Sequence, residues 1–140
     1  MDFPVGGSTF DEFKNFVKMD DGAGAQDHKR NLPFAAGCTQ GDMIVVEPWC
    51  GIADETVAAA AGATVCAIVK EGIRVVSREI ATGATFNTVG QEVWFNPVTQ
   101  EYTDTEDDGL YLVGYVDEVT DADGCFAFEK RRYVEVGVGT

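Results

Sequence analysis

The chain has 140 residues, of which 45% are apolar, so it can bury the core of one ordinary domain, and this composition argues against general disorder. It carries 24 acidic and 10 basic side chains, a formal net charge of −14, which argues against binding along a nucleic-acid backbone. Such a charge fits either simple solubility or docking on a basic partner.

The N-terminal segment, residues 1–31, differs from the rest of the chain. A capping box starts at Thr9, and four apolar residues share one helical face, so the pattern predicts a short helix over about residues 9–19, followed by a glycine-containing flexible linker. The helix has two interpretations: it folds back on its own core, or it is an arm that packs on a neighbouring subunit or partner. The predicted interface residues are Phe10, Phe13, Phe16, Val17, Leu32 and Phe34.

From about residue 32 to residue 140 the pattern changes to short apolar runs separated by glycine and acidic turns, which predicts an all-β core domain. No stretch after residue 31 supplies the crossover helices that a parallel α/β fold needs. We therefore predict a small β-barrel or sandwich. The predicted strands are Leu32–Ala35, Met43–Val46, Cys50–Ala53, Thr64–Lys70, Ile73–Ser77, Glu92–Phe95, Gln100–Thr103, Tyr111–Asp117, Cys125–Arg131 and Tyr133–Val136.

An internal echo indicates that the core consists of two similar β units. A Thr-x-Gly turn leads into a strand at Thr39–Val46 and again at Thr88–Phe95, and each is followed by Gly-x-x-Asp-Glu, at Gly51–Glu55 and at Gly114–Glu118. A loop, a glycine and a further strand complete both copies, and the second copy carries residues 96–109 as an insertion. Two such half-buried sheets would close on one another.

Candidate catalytic and metal-binding chemistry is sparse. The only histidine, His28, lies in a polar linker, and no nucleotide-binding or nucleophile-elbow motif is present, so we expect no enzyme activity and no cofactor. The four cysteines have apolar or glycine neighbours and no zinc-site spacing, which favours small core residues in a reducing compartment, with a disulfide as the alternative.

Two acidic clusters, at residues 104–108 and 117–123, leave open an irregular Ca²⁺ site, although neither matches the EF-hand loop. A small carbohydrate- or calcium-binding β module is therefore the alternative function. The start of the chain lacks a signal-peptide pattern, and its longest apolar run, around residues 57–63, is too short to span a bilayer. We expect synthesis in a cytoplasm and no membrane partner.

Most of the chain, about residues 32–131, resembles the capsid decoration (cement, or head-stabilisation) proteins of tailed bacteriophages. The resemblance depends on the order of several short motifs. These are Leu32–Val46, Gly51–Glu55, Thr64–Lys70, Ala81–Gly83, Val89–Phe95, Gly114–Val116 and Cys125–Lys130.

This resemblance implies a structural virion protein that binds the outer surface of an assembled capsid and bridges major capsid protein subunits. It also implies self-association as a homodimer or homotrimer and no catalytic residues. Two features depart from the family pattern: the N-terminal extension of residues 1–31 is long, and the insertion at residues 96–109 is acidic.

Overall fold

The computed structural model describes residues 14–18 and 29–139. These residues form ten β-strands and no helix. The strands are β1 (Asn15–Lys18), β2 (Lys29–Pro33), β3 (Met43–Val46), β4 (Trp49–Ala53), β5 (Thr64–Ile68), β6 (Arg74–Ser77), β7 (Glu92–Asn96), β8 (Glu101–Thr103), β9 (Tyr111–Glu118) and β10 (Phe126–Val136). The prediction of an all-β core is confirmed.

The strands join into one open, branched antiparallel sheet in the order β2-β5-β4-β10-β9-β7-β8, with β3 beside β4 and with β6 and then β1 beside β10. The branch arises because β10 is eleven residues long. The first part of β10 pairs with β6, and Tyr133, farther along, pairs with Trp49 of β4. The predicted barrel or two-sheet sandwich is not supported, since the two halves share this strand within one sheet.

The two similar β units that the sequence echo predicts have the same hydrogen-bond register. We call β3, β4 and β5 the first β unit, and β7, β9 and β10 the second β unit. In the first unit, Met43 pairs with Ile52, Ile44 with Gly51, Ile52 with Ile68, and Ala53 with Ala67. The equivalent pairs in the second unit are Glu92 with Tyr115, Val93 with Gly114, Tyr115 with Glu129, and Val116 with Phe128.

The entry turns of the two units also match. In the first, the Gly41 N–H donates to the Ala53 carbonyl at 2.9 Å, and in the second, the Gly90 N–H donates to the Val116 carbonyl at 2.7 Å. Both glycines have positive φ, 92° and 89°, a conformation that favours glycine. The Thr-x-Gly motif therefore sets the geometry of strand entry in both copies, and β8 lies in the insertion of the second.

A large apolar cluster lies between strands of both units and contains most of the buried aromatic side chains. The Phe86 and Phe126 rings stack with centroids 4.3 Å apart, and Tyr102 meets Phe126 edge-on. A second cluster, which includes Leu32, Ile44 and Val65, packs between β2 and the first β unit. The fold thus has a shared core and a smaller satellite core.

The predicted helix over residues 9–19 is wrong for residues 15–18, which form strand β1; the rest of that prediction lies outside the described residues. Strand β1 completes an antiparallel ladder along the edge of β6, and Phe16 fills a small cluster with Val76 and Ala127. Val17 packs against the large cluster instead. Pairing with an available strand edge therefore outweighs the local helical pattern.

Candidate interaction surface

Four of the six interface residues predicted from the sequence lie within the described ranges, and all four pack in or against the chain's own core. Phe16 and Leu32 are only 4% and 2% exposed. Val17 and Phe34 are half-buried and pack against the apolar clusters, while Phe10 and Phe13 lie outside the described residues. For residues 14–18, the structure corresponds to an N-terminal segment that folds back onto its own sheet. The assignment of the six residues to a partner interface stays a prediction.

The four cysteines are free thiols, and each has a raised pKa because burial disfavours the thiolate. Cys50 is fully buried, and its pKa is raised to about 11. Since the thiolate is the reactive form, these side chains are poor nucleophiles at neutral pH. They fit the predicted role as small core residues.

The acidic loops are organised around their own backbone. Asp121 accepts the N–H groups of Asp123 and Cys125 through Oδ1, and Asp108 accepts the N–H of Gly139 at 2.7 Å. Within residues 14–18 and 29–139, no group of three or more His, Cys, Asp or Glu side chains is placed to hold a metal ion. These carboxylates shape turns and hold the C-terminal tail.

A shallow depression of about 310 Å³ lies beside the β7–β8 hairpin and the loop before β9. Its walls are mainly polar and acidic side chains, including Asn96, Glu101 and Asp108, with Ala81 and Leu110 as the apolar members and no aromatic residue. Small-molecule sites are usually lined by apolar and aromatic groups with a few placed polar groups. The depression therefore gives no support to a carbohydrate site.

Lys130 is a buried cation at the junction of the two β units. Its side chain is 1% exposed, and Nζ donates to the carbonyls of Cys50 and Arg131 at 2.8 Å each. Desolvation lowers its pKa to about 8, assisted by the nearby Arg132. The bond to Cys50 links β4 to β10, and the bond to Arg131 lies within β10, so Lys130 stabilises the junction.

Five side chains form a continuous line of contacts on the surface, which we call the arginine–aromatic stripe. The Arg30 guanidinium lies 3.9 Å from the centre of the Trp49 ring, and the Trp49 and Tyr133 ring centroids are 5.0 Å apart. Arg131 continues the line: its Nε donates to the Tyr133 carbonyl at 3.0 Å, and a terminal nitrogen donates to the Tyr115 hydroxyl at 2.8 Å. The stripe links residues of β2, β4, β10 and β9, and β5 lies between β2 and β4 in the sheet.

Strand geometry explains why these side chains face outward. Tyr115 is 38% exposed and lies between the buried Gly114 and Val116, as the alternation of a strand requires. Tyr133 is 46% exposed and is the β10 residue that pairs with Trp49. The stripe therefore runs across the junction of the two β units.

This surface was not among the predicted interface residues, although the sequence carries a signal for it. The chain is strongly acidic, yet two of its basic runs, Lys29-Arg30 and Lys130–Arg132, each contribute an arginine to the stripe. What the sequence does not display is that β2 and β10 approach one another through β4, since these strands are about one hundred residues apart.

Fold and surface together define a small all-β protein whose exposed features suit contact with another macromolecule. No helix in the described ranges is long and apolar enough to cross a membrane. A family model described as phage cement protein matches residues 25–129, well over half of the chain, so the protein belongs to the phage cement protein family. Comparison with curated proteins and with solved structures gave no match. The protein is thus a structural, capsid-stabilising component of a bacteriophage virion.

Proposed function

We propose that this protein binds the outer surface of an assembled phage capsid and stabilises the shell by bridging neighbouring major capsid protein subunits. The observation that carries the proposal is the cement-family match, which covers the first β unit and the second as far as Glu129 of β10. Two units with the same strand register give one chain two related surfaces, which suits contact with more than one capsid subunit. Many adjacent weak contacts on a shell also reinforce one another.

The proposed partners are the major capsid protein and further copies of this chain, as a homodimer or homotrimer. The formal net charge of −14 opposes binding to nucleic acid, and it favours an exterior position over one against packaged DNA. Synthesis in the host cytoplasm, followed by addition to the finished shell, completes the proposal.

Co-sedimentation tests this function directly. Purified protein is mixed either with assembled shells of the cognate phage or with free capsid subunits, and each mixture is centrifuged. We expect the protein to pellet with shells and not to bind free subunits, because bridging needs the assembled lattice. Absence from the shell pellet at saturating concentration would overturn the proposal.

The N-terminal segment is proposed as a separate contact region, with residues 1–31 as an arm and 32–140 as the core. The predicted boundary falls inside β2, and β1 belongs to the sheet, so deleting all 31 residues would also damage the core. Deleting residues 1–13 is the sharper test, since it removes Phe10 and Phe13 and retains every described strand. We expect weaker shell binding with unchanged circular dichroism, and full binding would remove the arm from the proposal.

A further inference from the structure

We propose that the arginine–aromatic stripe is the surface that contacts the capsid, and that it binds an acidic segment of the major capsid protein. This inference rests on the proposed function and adds to it the contact surface and the chemistry of the partner.

The composition of the stripe is that of a binding surface. Tryptophan, tyrosine and arginine are the residues most enriched among those that dominate protein–protein binding energy. Here all five members are of these types, and they are linked across four strands by ring and guanidinium contacts and by the bond from Arg131 to the Tyr133 main-chain carbonyl. Their contacts hold the rings and guanidinium groups in place before a partner arrives, which reduces the entropy cost of binding.

The charge of the stripe indicates an acidic partner. Within the described residues, Lys29 and Arg74 form ion pairs with carboxylates, whereas Arg30, Arg131 and Arg132 do not. Exposed acids flank the stripe: Glu129 and Glu92 pair with Tyr115 from either side, and Glu135 lies two residues beyond Tyr133. None of these glutamates forms an ion pair with Arg30 or Arg131, so both stripe arginines keep a charge that a carboxylate-bearing segment would complement.

The geometry leaves the arginine donors accessible. Stacking on Trp49 occupies the face of the Arg30 guanidinium, while its N–H groups lie around the edge and can form a bidentate bond to a carboxylate. Arg131 uses two of its five N–H donors on Tyr133 and Tyr115.

The test measures shell binding by variants of the full chain. In Arg30→Ala/Arg131→Ala, we expect the dissociation constant to rise roughly tenfold or more, as for loss of binding hot spots, and the salt dependence to become shallower. Arg30→Glu/Arg131→Glu should bind more weakly still, because an acidic partner would repel the new carboxylates. Arg78→Ala is the matched control; Arg78 is an exposed arginine close to Cys125, which precedes β10, far along that strand from Tyr133.

Each outcome has one meaning. Wild-type protein that binds shells, together with alanine variants that bind equally well, overturns the stripe and leaves the proposed function standing. Wild-type protein that fails to bind shells overturns the proposed function and the stripe with it. Glutamate variants that bind as well as the alanine variants contradict the acidic partner.

Sedimentation velocity of the free proteins tests whether the stripe binds a second copy of this chain instead of the capsid protein. If the alanine variant loses self-association but keeps the wild-type affinity for shells, the stripe binds a second copy of this chain and the inference fails. If the double variant loses its native circular dichroism, the same comparison is made with Arg30→Gln, because the Arg30 side chain is exposed and its loss leaves the core intact.

Discussion

Trp49 and Tyr133 pair in the strand register where β4 meets β10, and their rings lie 5.0 Å apart at an angle of 52°. This contact joins the two β units and also forms the middle of the arginine–aromatic stripe. The backbone supports it, since the Val134 N–H donates to the Pro48 carbonyl at 2.9 Å. The junction that makes one sheet of two units therefore also assembles the surface proposed to face the capsid.

The Tyr102 hydroxyl donates to Asn15 Oδ1 at 2.7 Å, and Asn15 Nδ2 donates to the Gly41 carbonyl at 2.8 Å. Asn15→Ala leaves both buried partners unsatisfied, so we predict a loss of about 2–4 kcal/mol in the free energy of unfolding, measured by urea denaturation. Asn31→Ala, at an exposed position of β2, is the control and should change stability by no more than about 0.5 kcal/mol.

A double-mutant cycle with Tyr102→Phe isolates this hydrogen bond. We expect the double variant to lose less stability than the sum of the two single variants. In the double variant, the Tyr102 hydroxyl and Asn15 Oδ1 are both absent, so neither is left buried without the other. Strict additivity would show that β1 is held by other contacts.

Lys130 gives the protein a specific pH dependence. Its pKa is about 8 in the folded chain against an ordinary value of 10.5, so above pH 8 the unfolded chain binds more protons and the free energy of unfolding rises with pH. The rise from pH 8 to pH 9 should be about 1 kcal/mol. The raised pKa values of the four cysteines act in the opposite direction as thiols of the unfolded chain titrate near pH 9, so the Lys130 effect is measured as the difference between wild type and a variant without this lysine.

Urea denaturation of wild type and Lys130→Met at pH 7, 8 and 9 measures this effect, and the variant should lack the rise. Lys29→Met is the matched control. Its ion pair with Asp54 raises the pKa of Lys29, so the stability that it contributes is lost only above pH 10.5 and is constant across this range. Equal slopes for wild type and Lys130→Met would contradict a buried, protonated Lys130.

Gly114 permits the close approach of β9 and β10. A Cβ at this position would lie 2.2 Å from the Glu129 carbonyl oxygen and 2.7 Å from the Phe128 ring, so Gly114→Ala should cost at least about 2 kcal/mol in unfolding free energy. Gly51→Ala, the equivalent change in the first β unit, should cost less, since its nearest contact is the Ala67 side chain at 2.9 Å.

Gly62→Ala is the control for backbone strain alone. Gly62 has φ of +75° and open space around it, so the substitution should cost about 1 kcal/mol. A loss at Gly62 as large as that at Gly114 would show that steric contact between β9 and β10 is not the deciding factor.

The thiols should differ sharply in reactivity. Cys50 and Cys125 are buried and should react with a disulfide reagent at pH 8 only as fast as the chain unfolds, while the half-buried Cys38 and Cys66 react earlier. Counting released reagent over time measures this, and Cys66→Ser should remove one early equivalent. Four equivalents released together from native protein would contradict the described burial.

Much of the core could be predicted because its signals are local. Strand β3 has the predicted bounds, Met43–Val46. The repeated Thr-x-Gly turn marks both units in the sequence, because the positive φ at Gly41 and Gly90 favours glycine at these positions. Two predicted strands, Cys125–Arg131 and Tyr133–Val136, are one continuous strand. The ladder to β9 shifts register between Lys130 and Glu135, so the predicted break marks an irregularity and not the end of a strand.

The errors concern interactions between distant segments. Phe16 carries a helical pattern, yet the free edge of β6, about sixty residues later, decides its conformation. Lys130 has the residue type of a surface position, but the Cys50 carbonyl, 80 residues away in sequence, satisfies its charge inside the fold. The stripe was missed for the same reason, because its members meet only when β2, β4, β9 and β10 assemble.

The most direct measurement is an electron cryomicroscopy map of cognate shells decorated with the full-length protein. We predict density on the outer surface, in contact with at least two capsid subunits, with Trp49 and Tyr133 facing the shell beside an acidic segment. Density whose Trp49–Tyr133 face points to solvent would contradict the proposed contact surface, and shells without added density at saturating protein would contradict the binding itself.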